Sequence, residues 1–286
     1  MNQQKIAILA DSCADISPEV LAGRKEVFVV PLKILCKDGE FYDGVDIFAP
    51  DVYARQAKGE LPRTSLPDGA TMERTLDEIA AQGYEKVIAL MLSGGLSGTY
   101  NMMRIYGEER KDLDVRVYDT RNGSLGIGIM VYQLLLDMDA GLGWEELLKR
   151  AEHYIGNTFP FFSVDTLEFL QKGGRIGRVT ALAGTMLQIK PIIIFDHDGQ
   201  LKSTAKVRGR RQLIDRFVEL VKQKVGSHAR YNIAVAHGGA FEAMQELGEK
   251  LKQALPNYIH YWEGELDATL STYIGSGVLG AGVQLL

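Results

Sequence analysis

The first half of the chain alternates short apolar runs with helix-like stretches, and this rhythm restricts the fold more than any other feature of the 286 residues. Lys5-Ile6-Ala7-Ile8-Leu9-Ala10 stays apolar on successive positions and stops at Asp11-Ser12, as a strand covered on both faces does in a parallel sheet. Ser17-Pro18-Glu19-Val20 opens a helix, with Ser17 placed to cap and Pro18 suited to the first turn. Further strands are expected at Val27–Leu35, Val87–Leu92 and Val115–Tyr118. Helices are expected at Pro50–Lys58, Asp68–Gln82, Thr99–Tyr106 and Leu125–Met138. This alternation predicts an α/β domain built on a mainly parallel sheet.

Near Asn157–Phe162 the rhythm changes. Thr158–Val164 reads as a linker entering a strand, and Leu167–Lys172 as a short helix stopped by Gly173-Gly174. Ile189–Asp196, Asp198-Gly199 and Gln200–Val207 form a strand, turn, strand pattern, because Asp-Gly favours a tight hairpin turn. Helices at Gln212–Val225 and Phe241–Ala254 flank a strand at Ile233–Ala236, and the tail Thr269–Leu286 reads as strand-like and glycine-rich. A second α/β domain with a mixed sheet is therefore expected, with domains at 1–156 and 157–286.

Composition narrows the function. A hydrophobic content of 46% supports packed cores, and the apolar stretch Ile127–Leu136 is too short to span a bilayer. The first residues show no signal-peptide pattern, so a cytoplasmic protein is expected. Cys13 and Cys36 have no zinc or CxxC spacing, which leaves free thiols or at most a single disulfide. The five histidines include no i,i+4 pair, so no metal site is expected; His197 reads as a turn residue and His237 as a strand-end residue. A net charge of −5 argues against nucleic-acid binding. Yet Gln171–Arg211 holds nine basic residues against two acidic ones, which makes either a solvated face or a docking site for an acidic or phosphorylated partner.

Two hydroxyl-rich stretches carry the chemistry: Thr64-Ser65-Leu66-Pro67 and Ser93-Gly94-Gly95-Leu96-Ser97-Gly98-Thr99. The second follows a strand and precedes a helix, so its amides and the helix dipole favour an anion. It lacks the Gly-Lys-Ser/Thr of a P-loop, and Thr99 stands where a Gly-x-Ser-x-Gly nucleophile elbow needs glycine. Asp11-Ser12-Cys13 and Asp119-Thr120 fall at the same carboxyl edge of the sheet, where ligands gather. Thr64 and Ser65, taken alone, read as helix caps. No catalytic residue is assigned, because Ser97 has no assignable base. An acyl- or phosphoryl-transfer enzyme and a binding module for a small anion are both readings that this loop allows.

In register over Lys5 to about Leu285, the motifs Ala10-Asp11-Ser12, Val30-Pro31-Leu32, Tyr42–Asp46, Thr64–Pro67, Leu92–Tyr100, Gly173–Ile176, Lys190–Ile193 and Lys206–Gly209 resemble the DegV family of bacterial fatty-acid-binding proteins. The resemblance implies a three-layer N-terminal and a two-layer C-terminal α/β domain with a lipid between them. It places the carboxylate of a long-chain fatty acid on Thr64, Ser65, Ser97 and Gly98, with Ser93 and Tyr273 as further candidate ligand-binding residues, and sets Arg175 and Arg208 near the head group or a kinase-docking face. It also implies a role without cofactor: presentation of the fatty acid to a separate fatty acid kinase subunit for phospholipid synthesis, with transient contact at a membrane surface. Phe161, Phe162, Leu182 and Met186 are apolar residues that could line the tunnel. Two positions depart from the family. Tyr273 stands where the family often has histidine, and it can donate a hydrogen bond but not become a cation near neutral pH. Gly94 replaces a frequent serine.

Overall fold

The alternation seen in the sequence becomes two opposed faces of one sheet. In this computed structural model, which describes residues 4–182 and 189–286, strand β1 spans Ile6–Asp11. A single 3-10 turn (Ser12–Ala14) and helix α1 (Pro18–Gly23) follow, with Ser17 accepting from the Val20 amide. The chain continues through β2 (Val27–Val30), β3 (Lys33–Cys36), β4 (Gly39–Tyr42), α2 (Ala49–Ala57), β5 (Arg63–Ser65), α3 (Gly69–Ala81), β6 (Lys86–Met91), α4 (Thr99–Glu109), β7 (Asp114–Asp119), α5 (Leu125–Asp139) and α6 (Trp144–Asn157).

Strands β2-β1-β6-β7 pair in parallel throughout. Successive side chains of a strand point to opposite faces. Ala7 and Leu9 accordingly pack with Met72, Leu76 and Ile79 of α3 and Met103 of α4. Ile6, Ile8 and Ala10 pack with α5 and α6 on the other side. The N-terminal half is thus the expected three-layer α/β structure. The expected strand Val27–Leu35 is two strands in two sheets. Pro31, which lacks an N–H, follows Val30, and the chain leaves the parallel sheet to form a separate small antiparallel sheet, β4-β3-β5.

The second half runs β8 (Thr158–Ser163), α7 (Glu168–Lys172), β9 (Ile189–Phe195), β10 (Leu201–Arg208), α8 (Gly209–Val225), β11 (Tyr231–Gly238), α9 (Phe241–Ala254), β12 (Tyr261–Glu265), α10 (Ala268–Ile274) and β13 (Val278–Leu285). Its sheet, β10-β9-β8-β13-β11-β12, is mixed: β11 and β12 are parallel and the other pairs antiparallel. Residues Leu279, Ala281 and Val283 of β13 face α8 and α9 in one core. The tail is therefore not strand from Thr269 onward: it begins as a helix capped by Asp267, whose carboxylate accepts from the Leu270 amide, and becomes strand only after Gly275.

Helix α5 joins the halves. Eleven of its fifteen residues are buried, and it has no polar face. A helix that is apolar all round is buried all round. Ile127, Met130 and Leu134 pack on the N-terminal sheet, whereas Leu125, Ile129 and Tyr132 pack with Ala234, Ala236 and Val278 of the C-terminal sheet. Its Gln133 accepts from Asn232 at 2.8 Å, and Asn232 also donates to Gln284 at 2.9 Å, so a buried amide chain fixes the register of helix and sheet. Among the described residues, no helix is long and apolar enough to cross a membrane.

Candidate functional site

The free face of the C-terminal sheet does not close on α5. Cross-strand partners there are Gly280 opposite Ala236 and Gly282 opposite Ala234, so four positions carry one side-chain carbon or none. The result is a cavity of about 110 Å³, walled by these residues, by Phe161 and Phe162 of β8, and by Leu125 and Ile129 of α5. Its lining is almost wholly apolar and includes no acidic or histidine residue among those described. Phe161 and Phe162, expected as tunnel residues, are both in the wall. Met186 lies outside the described residues, as does the side chain of Leu182.

Two hydroxyl pairs border the cavity. Thr64, on β5, places its Oγ1 2.6 Å from the hydroxyl of Tyr273, on α10, and the Thr64 amide donates to the same hydroxyl at 3.3 Å. Ser97, in the loop after β6, places its Oγ 2.8 Å from the Thr99 hydroxyl and accepts from the Thr99 amide. Each hydroxyl pair contains two O–H groups and needs only one for its internal bond. One proton per pair is left to donate outward. Thr64, Ser97 and Tyr273 all line the cavity. The Arg175 guanidinium lies 4.9 Å over the Tyr273 ring and donates to the Gly173 carbonyl at 2.7 Å. Gly173 is required by this packing, since a Cβ there would sit 2.2 Å from the Tyr273 ring. Thr64, Arg175 and Tyr273 also border an outer cleft that includes Arg63 and Lys172, so they stand between the apolar interior and a basic mouth.

The other sequence candidates fall elsewhere. Ser93 is fully buried and donates to the Gly199 carbonyl at 2.7 Å, which clasps the Ser/Gly loop to the β9–β10 hairpin. Gly95 permits that approach, because a Cβ there would lie 2.6 Å from the Gly199 backbone. Ser65 donates to the Leu66 carbonyl, and neither it nor Gly98 is in the cavity wall. Helix α3 is capped by Asp68, not by Thr64 or Ser65, with the Thr71 amide donating to Asp68 at 2.8 Å. Arg208 is exposed at the end of edge strand β10, away from the cavity. Gly94 is exposed, and its amide donates to Asp119 at 2.9 Å. His197 lies in the hairpin turn, and His237 near the end of β11, where burial pushes its pKa down. Cys13 and Cys36 are free thiols. The small residues that create the cavity were not singled out in the sequence, although the period-two patterns Ala234-x-Ala236 and Gly280-x-Gly282 were there to be read.

Helix α10 is held from two sides. At its N-terminus, Asp43 accepts from the Ala268 amide at 2.9 Å and the Thr269 amide at 3.2 Å. Along its length, the Tyr53 hydroxyl lies 2.7 Å from Ser271 Oγ, and Gln56 donates to the Ser271 and Thr272 carbonyls, both at 3.1 Å. Tyr273 therefore reaches the cavity mouth on a helix that α2 fixes.

The sequence profile of the DegV family, described as uncharacterised proteins, matches residues 5–285. A DegV domain-containing protein of Clostridium acetobutylicum is 31% identical over 277 residues, 97% of this chain and 98% of that protein. Among solved structures, a fatty-acid-binding DegV family protein from Thermus thermophilus superposes with a TM-score of 0.91 at 28% identity, covering 98% of this chain and 99% of that one. A fatty-acid-binding DegV family protein from Streptococcus agalactiae superposes with a TM-score of 0.87 at 26% identity, again covering 98% and 99%.

Proposed function

We propose that this chain, which belongs to the DegV family, binds a long-chain fatty acid in the cavity between α5 and the C-terminal sheet. The observation that carries the reading is the pairing of an apolar cavity with two hydroxyl pairs, Thr64–Tyr273 and Ser97–Thr99, at its border. Buried carboxylate is costly unless hydrogen-bonded, and the Thr64–Tyr273 and Ser97–Thr99 pairs supply neutral donors for it. Charge-assisted bonds contribute about 1.5–3 kcal/mol each, and each buried methylene about 0.8 kcal/mol, so the acyl chain sets affinity and the hydroxyls set direction. Ser65 and Gly98 flank these donors in sequence, Ser65 at the end of β5 and Gly98 in the loop before α4. Ser97 is hydrogen-bonded to a hydroxyl and an amide of Thr99, neither of which can take its proton as a base would. That favours holding the carboxylate over attacking with the serine.

In this reading the protein is a cytoplasmic carrier with domains meeting at residues 156 and 157. It presents the carboxylate, through the basic mouth at Arg63, Lys172 and Arg175, to a separate kinase that forms an acyl-phosphate for phospholipid synthesis. The exposed Lys206, Arg208, Arg210 and Arg211 offer a surface for that kinase or, transiently, for a membrane. The test is to purify the chain from a bacterial host, denature it, extract, and analyse the extract by mass spectrometry. Roughly stoichiometric fatty acid is expected. Protein that emerges empty and fails to take up added palmitate overturns the proposal.

A further inference from the structure

Away from the cavity mouth, four carboxylates from three segments converge at the N-terminus of α10: Asp11 at the end of β1 with Asp15 just after it, Asp43 after β4, and Asp267 as the helix cap. Among the described residues, no lysine, arginine or histidine pairs with any of them. Most of their oxygens are matched to protein donors. Asp11 accepts from the Leu92 and Cys13 amides, and Asp43 from Ser12 Oγ and the Ala268 and Thr269 amides. Asp15 accepts from Ser124 Oγ and the Asp267 amide. One oxygen is left over: Asp267 Oδ2 is sealed from solvent and has no donor. The Asp267 amide donates to Asp15 Oδ1 at 2.8 Å, which sets the two carboxyls side by side. Two carboxylates cannot bond each other unless one carries a proton.

We propose that Asp15 and Asp267 share one proton, and that this proton is a latch that holds the N-terminus of α10, and with it Tyr273, to the loop after β1. The latch satisfies the orphan oxygen and removes one negative charge from a cluster that has no cation. Burial pushes Asp15 up to about 7 and Asp267 well above the usual carboxylate range, in the direction that the shared proton requires. The other groups facing the pair are Asp11, Cys13, Asp43, Tyr53 on α2, Tyr132 on α5 and Glu265 on β12, and none of them is a cation. A metal ion fits the cluster less well. Cys13, whose thiol lies within 4.8 Å of oxygens of Asp43 and Asp267, is pushed well above its ordinary value, and Asp43 is occupied by three donors. Loss of the proton leaves two anions in contact and loosens the helix that carries the mouth tyrosine. The latch does not depend on what the cavity holds.

Amide hydrogen exchange on the full-length protein tests it. In the opened state a carboxyl titrates near 3.9, so a proton held only when α10 is closed makes opening about tenfold easier per pH unit above that value, until the pair ionises. Protection factors of the Leu270 and Ser271 amides, whose partners are Asp267 Oδ1 and the Asp267 carbonyl, are expected to fall about tenfold per unit from pH 5 to 7. In Asp267→Asn, whose amide donates permanently to Asp15 while the side-chain oxygen keeps the cap, the fall should be shallower by about one factor of ten per unit. Asp15→Asn should behave alike and serves if the first variant does not fold. Equal slopes in wild type and variant overturn the proposal. So does pH-independent protection in the wild type alone, or protection restored at pH 8 by Mg²⁺ or Ca²⁺, which would assign the cluster to a cation.

Discussion

Replacing Gly282 by leucine should shorten the cavity without harming the fold. Gly282 lies opposite Ala234 on β11 and Pro160 on β8, on the face of β13 that forms the cavity wall. It is four residues beyond Val278, about 13 Å farther along the strand from the Tyr273 end. A Cβ there would meet nothing nearer than backbone atoms at 3.8 Å, so the added carbons extend into empty space. About three of them project past the wall and displace about three methylenes of a bound chain. At about 0.8 kcal/mol each, the loss is about 2.4 kcal/mol, or about sixty-fold in Kd. The strand itself should gain, because glycine in a strand interior is worse than alanine by about 0.5–1 kcal/mol. Calorimetric titration of delipidated protein with stearate and decanoate separates these effects. Stearate affinity should fall about sixty-fold, decanoate affinity should hold, and the thermal midpoint of the empty protein should not drop. An equal loss for both acids, or no loss for stearate, would refute the placement of the acyl chain along β13.

Tyr273→Phe keeps the ring beneath Arg175 and deletes only the hydroxyl, and Ser97→Ala deletes the other outward donor; each should weaken fatty-acid binding by about 1.5–3 kcal/mol in a displacement assay. If neither variant moves Kd, the carboxylate is bound elsewhere. Gly95→Ala forces a Cβ to 2.6 Å from the Gly199 backbone and should lower the urea midpoint by about 1–3 kcal/mol of stability; an unchanged midpoint means that the loop and hairpin are not clasped. Asp11 supplies a pH dependence. Burial raises its pKa to about 7, so the stability it contributes is complete below about pH 4, declines as the pH rises through about 7, and is flat above. The decline is up to about 4 kcal/mol from that shift. The urea midpoint should therefore be higher at pH 5 than at pH 7.5, and the opposite order would contradict a protonated, buried Asp11.

Much of this was legible because local chemistry and global fold agree. Strand β1 reads as buried on both faces and is; Pro18, Asp68 and Asp198-Gly199 start helices or turn the chain where their chemistry requires. The misreadings share one cause, which is that the deciding partner is remote in sequence. Val27–Leu35 looks like a single strand because nothing local says that Lys33–Cys36 pairs with Gly39–Tyr42 and Arg63–Ser65. Helix α6 is the exception, because its apolar stripe at Trp144, Leu147, Ala151 and Tyr154 is local. In the site, Thr64, Ser97, Tyr273 and Arg175 all line the cavity. Ser93 and Ser97, each the serine of a Leu-Ser-Gly tripeptide, part company because the carbonyl that claims Ser93 belongs to Gly199, 106 residues away.

The cavity and the core are made of the same residues, and this links binding to folding. Leu125 and Ile129 of α5, with Ala234, Ala236 and Val278, form one apolar cluster and also line the cavity. Apolar surface that faces an empty space lacks the contacts a filled interior provides, and such voids cost stability in proportion to their volume. An acyl chain would restore those contacts and so complete the core between α5 and the sheet. Because α5 also packs on the parallel sheet through Ile127, Met130 and Leu134, the stabilisation would reach both halves of the chain. A ligand that binds only the folded state stabilises by RT ln(1 + [L]/Kd), about 2.7 kcal/mol at a hundredfold excess over Kd. Delipidated protein should therefore melt lower than loaded protein by an amount that grows with the logarithm of free palmitate. A melting point indifferent to palmitate would mean that the chain does not enter the space α5 leaves open.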